Sequence, residues 1–346
     1  METKRREIHF LSELRAVSCI AIVLLHTFYA ASAYAAPGST AHLAAISVRN
    51  LMMWAVPCFV MVSGALLLDQ ARVITYRKIF QKYILRILLA LVLFSVGFQV
   101  FDDITGNSGL HLTTLLHGLQ NAVTGQGWKH MWYLYLIIAL YLLLPFYRKI
   151  AAGLTKKDSY YLLGVYFVFL SLIPMLQTLT QKSTAFYLCV YSIYPFYFFL
   201  GDAFFQKRIF QKRWILALLA VGGTAAMLLL TMLCEKKQTA SLSELLTSYA
   251  FPPIALQSAG IFGLMAIKAD RTPKWLSWIL RQIDQCSFGV YLLHMLFLKL
   301  VLVVWKWNPY SHGGFPVILA LAIAVFLCSF GCIWLLKRIP GLKKIL

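Results

Sequence analysis

Apolar runs about 20 residues long recur from one end of this sequence to the other. Each run is long enough for a helix to cross a hydrocarbon core about 30 Å thick. Of the 346 residues, 60% are hydrophobic and 13% are charged, whereas soluble domains have roughly 45–50% apolar and about 25% charged residues. This pattern excludes a water-soluble globular enzyme and a disordered chain, and it predicts a polytopic membrane protein.

The apolar runs predict an all-α fold, a transmembrane helix bundle of about ten helices. The loops between the runs are short, so we expect one membrane domain over residues 1–346. Because ten is an even number, both termini lie on the same side of the membrane in this prediction. The predicted spans are 12–34, 43–68, 79–101, 130–147, 159–178, 185–205, 214–234, 246–267, 285–305 and 315–336.

The distribution of basic residues sets the orientation of the predicted bundle. Of the 32 Lys and Arg residues, 25 fall in alternate inter-span segments or in the span ends next to them (Arg15, Lys82 and Arg86), and five fall in the segments on the opposite side. Because cytoplasmic loops are enriched in Lys and Arg, we expect both termini to be cytoplasmic. The net charge of +20 is therefore interpreted as a topology signal and an attraction to anionic membrane lipid, and no nucleic-acid partner is predicted.

The cysteines and histidines do not predict a metal site or a disulfide framework. Seven Cys are present, most of them inside apolar runs, and no C-x-x-C pair occurs. Buried packing is the expected role of such cysteines. No histidine pair has metal-ligand spacing, and His130 and the other histidines near span ends or in loops are assigned no role.

Arg15 and His26 are ionisable residues in the first predicted span, which makes each a candidate functional residue. They are eleven residues apart, which is about 16 Å along a helix and about three turns, so their side chains face a similar direction. Arg15 then lies at headgroup level and His26 lies near the middle of the membrane. The alternative, which stays open, is that Arg15 extends to a lipid phosphate and His26 donates to a backbone carbonyl.

A second histidine lies at a comparable depth in the ninth predicted span. His294 is about ten residues into that span, or about 15 Å along a helix. Both spans run from the cytoplasmic side outward in the predicted topology. A buried neutral imidazole can accept a proton near neutral pH, so both histidines are candidate bases.

Two further segments contain candidate site residues. In the second span, Pro57 and the Ser63-Gly64 pair favour either a packing kink or the close approach of a ligand. At the start of the third span, Lys78, Lys82 and Arg86 are spaced by four, so they share a helix face. Such a face binds lipid headgroups or a polyphosphate ligand, or it only anchors the helix end.

These motifs, in this order, resemble the acyltransferase-three family of integral membrane acyltransferases. The segments that carry the resemblance are Arg15-x10-His26, Phe59-Val-Met-Val-Ser-Gly64, Phe80 to Arg86, Trp132-Tyr-Leu and Ser287-Phe-Gly-Val-Tyr-Leu-Leu-His294. Together they run from residue 10 to about residue 341. The sequence departs from the family pattern at Ser12, where members commonly have Asp. The third-helix pattern of the family has two arginines three residues apart, and this sequence has Tyr83 at the first of these positions. Arg86 matches the second arginine, and Lys82 is a candidate substitute for the first.

The resemblance implies that the protein transfers an acyl group in the bacterial cytoplasmic (inner) membrane. The implied donor is cytoplasmic acetyl-CoA, and the implied acceptor is a hydroxyl of a lipid-linked or envelope carbohydrate. Arg15, Lys82 and Arg86 would then bind the phosphates of the coenzyme, and His26 would be the general base. His294, or the hydroxyls of Ser63 and Tyr291, would orient the acceptor or stabilise the oxyanion.

Other functions and mechanisms are also compatible with the sequence. A glycan-lipid flippase or another secondary transporter also contains intramembrane Arg and His, although paired broken helices and an acidic relay are more typical of a carrier. A different membrane O-acyltransferase fold is a third reading, and a covalent acyl-enzyme is the less favoured mechanism. Neither the acceptor nor the oligomeric state follows from the sequence.

Overall fold

The computed structural model describes residues 2–187, 190, 192–237, 240–268 and 272–346, with side chains from His9 onward except that of residue 268. Helices account for 81% of the chain, and no described residue lies in a β-strand. The predicted all-α transmembrane fold is confirmed. Cys189 lies outside the described residues.

Sixteen α-helices are named here in chain order. They are α1 (Glu2–Ser32), α2 (Thr40–Leu51), α3 (Ala55–Leu67), α4 (Leu85–Thr105), α5 (Leu112–Thr124), α6 (Trp132–Leu142), α7 (Leu144–Gly153), α8 (Lys156–Phe167), α9 (Ile173–Thr180), α10 (Tyr194–Phe205), α11 (Arg213–Lys237), α12 (Ala240–Thr247), α13 (Pro252–Lys268), α14 (Lys274–Lys299), α15 (Phe315–Leu336) and α16 (Pro340–Ile345). π-Helical segments precede α4, join α8 to α9 and follow α14, at Ile79–Ile84, Val168–Leu172 and Leu300–Val304.

The number of membrane-crossing helices is close to the predicted ten. In the described parts of the chain, eight helical stretches are long and apolar enough to span a membrane. They are His9–Ser32, Thr40–Leu67, Tyr76–Thr105, Lys156–Thr180, Arg213–Lys237, Ala240–Ile267, Lys274–Val304 and Phe315–Leu336. Helices α6 and α7 form a ninth candidate, with a bend of 58° between them. Pro145 lies in the first turn of α7, where its missing N–H and its ring favour a break in the helix.

The predicted span at 185–205 differs most from the structure. Its described helix, α10, has 12 residues, about 18 Å at 1.5 Å per residue, which is too short to cross a ~30 Å core. Residues 188, 189 and 191 of this predicted span lie outside the described part. Pro195 to Phe204 are all buried. Hydropathy alone therefore identified a buried core helix as a span.

The chain contacts divide into two units. The first unit comprises Met1–Gln70, Ile150–Gln285 and Asn308–Ile323. In it, α3 and α10 cross closely at two glycines. A Cβ on Gly64 would overlap the backbone of Phe198, and one on Gly201 would overlap the backbone of Met61. Small residues that let two backbones approach in this way are typical of helix packing in membranes.

The second unit comprises Ala71–Lys149, Cys286–Trp307 and Ala324–Leu346. In this unit α5 packs beside α4 and is tied to it by polar side chains. Thr114 donates to Asp103 at 2.6 Å, and Asn121 donates to Gln99 at 2.9 Å. These bonds join the two helices through polar side chains.

Candidate functional site

Arg15 is held by an acidic partner in the first unit. The Asp284 carboxylate, on α14, accepts from Nε of Arg15 and, at 3.0 Å, from its Nη2. The Ser12 hydroxyl donates to the same carboxylate at 2.5 Å. The Arg15 side chain is 35% exposed and that of Asp284 is 10% exposed. The pair is therefore a bidentate, partly buried ion pair, which is the strongest type of arginine–carboxylate contact.

His26 lies eleven residues further along α1. The helix is continuous over Glu2–Ser32, so the predicted rise of about 16 Å from Arg15 applies without a break. His26 is half-buried, and its neighbour Thr27 is fully buried and donates to the Val23 carbonyl at 2.8 Å. The His26 imidazole is therefore carried by a continuous helix, next to a buried residue.

Ser63 lies on α3 in the same unit. It is half-buried, and its hydroxyl donates to the Phe59 carbonyl at 3.0 Å, one turn back along the helix. The hydroxyl proton is thus directed at the backbone of its own helix. A serine nucleophile needs an adjacent base that takes this proton, so the geometry disfavours Ser63 as the nucleophile of an acyl-enzyme.

The two basic candidates of the third predicted span lie in the second unit. Lys82 is exposed and belongs to the π-helical segment Ile79–Ile84. Because a π-helix has i→i+5 bonds and a wider turn, the predicted four-residue spacing to Arg86 does not align the two side chains as a regular α-helix would. Arg86 donates to the carbonyls of Ile345 and Leu346 at 2.9 and 2.6 Å.

His294 is fully buried on α14, in the part of that helix that belongs to the second unit. Its Nδ1 lies 3.1 Å from the Val290 carbonyl. A carbonyl only accepts, so Nδ1 carries the proton in this contact and Nε2 is the basic nitrogen. His294 is therefore buried, as its place in an apolar run predicts, and its role as a base stays a prediction.

His130, which the sequence did not identify as a site residue, lies beside His294. It is 4% exposed, and the centroids of the His130 and His294 rings are 5.6 Å apart. Its Nε2 lies 3.1 Å from the Leu292 carbonyl, and the Tyr291 hydroxyl donates to the His130 backbone carbonyl. The Nδ1 atom of His130 is buried and makes no hydrogen bond to any described residue. His130, Tyr291 and His294 thus form a buried cluster, called the histidine cluster below.

An aromatic and charged clamp lies beside the histidine cluster. Trp128 stacks on Phe98 with 4.0 Å between ring centroids, and the Lys299 ammonium lies 4.6 Å from the centre of the Trp128 ring. Asp102 accepts from Trp128 Nε1 at 2.9 Å and from Lys299 at 2.5 Å. Trp128 is two residues before His130, so these contacts of Trp128 also hold the backbone segment that carries the His130 imidazole.

Comparison with known proteins identifies the family. No curated protein and no solved structure matches the sequence. A family model described as an acyltransferase domain matches residues 8–336, nearly the whole chain. The match covers the first-span Arg15 and His26, the glycine of the α3–α10 crossing and the histidine cluster. The chain therefore belongs to the acyltransferase-three family of membrane acyltransferases.

Proposed function

We propose that this membrane acyltransferase moves an acetyl group from cytoplasmic acetyl-CoA to a hydroxyl of an envelope or lipid-linked carbohydrate in the bacterial cytoplasmic membrane. The family assignment supports O-acyl transfer and implies an acyl donor and an acceptor. The observation that carries the finer proposal is the unbroken α1, which presents Arg15 and His26 eleven residues apart.

His26 is the general base in this proposal. Its imidazole removes the proton from the acceptor hydroxyl while that oxygen attacks the thioester carbonyl. The C–S bond then breaks, and the imidazolium returns the proton to the departing coenzyme thiolate. His294, Ser63 or Tyr291 orients the acceptor or donates a hydrogen bond to the oxyanion.

The coenzyme phosphates bind to the basic residues in this proposal. Arg15 uses Nε and Nη2 for Asp284, which leaves its Nη1 amino group for a phosphate oxygen. Lys82 is exposed and flexible, so it suits a point contact to phosphate. Arg86 contributes its charge, and its bonds to Ile345 and Leu346 have to be shared or exchanged for it to bind phosphate directly.

Within the histidine cluster, His130 is a positioning residue. Its ring lies against that of His294, and its Nε2 is fixed by the carbonyl of Leu292, two residues before His294 in the sequence. Packing of this kind holds a neighbouring imidazole in one orientation, which is what a preorganised site requires.

The proposal is tested by following the acetyl group. Purified protein in lipid nanodiscs is incubated with acetyl-CoA labelled in the acetyl group and with an envelope glycan extract from cells that lack the protein. We expect label in the glycan and release of free coenzyme thiol in equal amounts. Mass spectrometry of glycans from cells with and without the protein should differ by one acetyl group. Transport of an unmodified glycan without acetylation would instead support the flippase alternative.

A further inference from the structure

Arg49 is a cation inside a predicted membrane-spanning helix for which the proposed chemistry has no use. It lies on α2, in the candidate span Thr40–Leu67, and it is half-buried. It forms no ion pair with any carboxylate in the described part of the chain. Charged side chains at such positions are expensive and usually mark a binding or transport site. The unpaired charge therefore requires an explanation.

The neighbours of Arg49 are neutral and arranged around it. Its Nη1 donates to the Asn50 side-chain oxygen at 3.0 Å, and its guanidinium carbon lies 4.9 Å from the centre of the Tyr29 ring. The Asn50 amide is oriented in turn by Thr231, to which its Nδ2 donates at 2.9 Å. Asn50 is 2% exposed and Thr231 is completely buried, so this orientation is fixed by packing.

The carboxylate that contacts α2 at its other end does not neutralise Arg49. Glu235, one helical turn beyond Thr231 on α11, is 3.1 Å from the imidazole of His42, two turns from Arg49 along α2. The Asn50–Thr231 and His42–Glu235 contacts show that α2 and α11 run antiparallel in this region. The Glu235 carboxylate thus contacts His42 and not Arg49. Arg49 keeps its positive charge, and one of its five N–H donors, on Nη1, is bonded to Asn50.

The position of this cation relates it to the proposed base. Tyr29 follows His26 by three residues on α1, and residues three apart on a helix are neighbours, with about 5–6 Å between their Cβ atoms. The guanidinium lies over the ring of Tyr29, the residue three positions beyond His26 and on its outer side in the predicted topology. In the proposal, the acceptor hydroxyl approaches His26 and a substituent elsewhere on the carbohydrate extends outward to Arg49.

We propose that Arg49, Tyr29 and Asn50 form an oxyanion site for the acceptor, and that the acceptor is therefore an acidic carbohydrate carrying a carboxylate or a phosphate. This inference rests on the proposed acyl transfer to a carbohydrate. A guanidinium binds both groups through paired N–H donors, and Asn50 holds it in one orientation. Removal from water strengthens the contact, since the effective dielectric constant is lower there.

Binding of simple probes without any acyl-CoA tests the oxyanion site. The probes are methyl β-D-glucoside, methyl β-D-glucuronide, which has a carboxylate in place of the hydroxymethyl group, and methyl β-D-glucoside 6-phosphate. Ligand-observed NMR measures their affinities for the full chain in phosphatidylcholine nanodiscs. We expect the two anionic probes to bind about tenfold to hundredfold more tightly than the neutral one, the range of a charge-assisted contact. Equal affinities in the wild-type protein would overturn the proposal.

Three variants show whether the preference resides at Arg49. Arg49→Gln should abolish it, Arg49→Lys should keep part of it, and Lys182→Gln, which removes an exposed cation, should leave it unchanged. A preference that survives in Arg49→Gln overturns the assignment, and the Lys variant keeps the test valid if the Gln variant folds poorly. In phosphatidylglycerol nanodiscs the preference should persist; its loss there would assign the site to a lipid headgroup and overturn the acceptor role. Because no acyl-CoA is present, failure of the acyl-transfer proposal is detected separately, in the labelled-acetyl assay.

Discussion

Separation of Arg15 from Asp284 should destabilise the protein by an amount that depends on which partner is removed. Loss of one member of a well-buried ion pair costs about 3–5 kcal/mol, whereas exposed pairs contribute about 0–1 kcal/mol. The Arg15 side chain is 35% exposed and that of Asp284 is 10% exposed, so this pair lies between the two limits. We therefore expect Asp284→Asn to lower the free energy of unfolding by about 2 kcal/mol.

Replacement of Arg15 should lower the free energy of unfolding more than replacement of Asp284, because Asp284 is the more buried partner. Arg15→Gln removes the cation beside the Asp284 carboxylate, whose side chain is 10% exposed and also accepts from Ser12. It should therefore destabilise the protein more than Asp284→Asn does, by about 3 kcal/mol. The double variant removes both charges, so its loss should fall short of the sum by about 1–2 kcal/mol.

Thermal unfolding of the four proteins in identical nanodiscs measures these differences. At roughly 2 °C per kcal/mol for a chain of this size, the melting temperature should fall by about 4 °C in Asp284→Asn and by about 6 °C in Arg15→Gln. Additive losses in the double variant, or no loss in either single variant, would refute the idea that the two residues act as one bidentate pair.

Three further predictions follow from particular contacts. Gly64→Ala should reduce thermal stability sharply because its Cβ would overlap the Phe198 backbone, whereas Gly222→Ala, with open space around the new Cβ, should not; unfolding curves compare them. His130→Ala should lower kcat for acetyl transfer more than it raises KM, and His130→Gln, which can still donate to the Leu292 carbonyl, should recover part of the rate. Lys82→Gln should raise KM for acetyl-CoA about threefold to tenfold with little change in kcat, because an exposed cation contributes uniform binding.

Much of the fold could be predicted because hydropathy and helix length are local properties. Eight of the predicted spans contain, or lie largely within, the eight long helical stretches, and 130–147 corresponds to the bent pair α6–α7. The helix at Tyr194–Phe205 could not be distinguished from a span, because its burial comes from protein and not from lipid. A buried apolar helix and a lipid-facing one have similar composition.

The site shows the same limit at the level of side chains. Arg15, His26 and His294 were identifiable because ionisable residues within apolar runs are rare. The Arg15–Asp284 pair joins residues 269 positions apart, and no local pattern links them. His130 lies at the start of a helix beside Trp132, so its burial follows only from tertiary contacts with Tyr291 and Leu292.

Single-turnover acetyl transfer by purified His26→Ala protein tests the central claim most directly. Removal of a general base typically lowers a rate by about 10²–10⁴-fold, so transfer from acetyl-CoA should fall by at least about a hundredfold while insertion and melting temperature stay close to wild type. His117→Ala, which replaces an exposed histidine on α5, should retain the wild-type rate. Near-normal transfer by folded His26→Ala protein would contradict the assignment of His26 as the base.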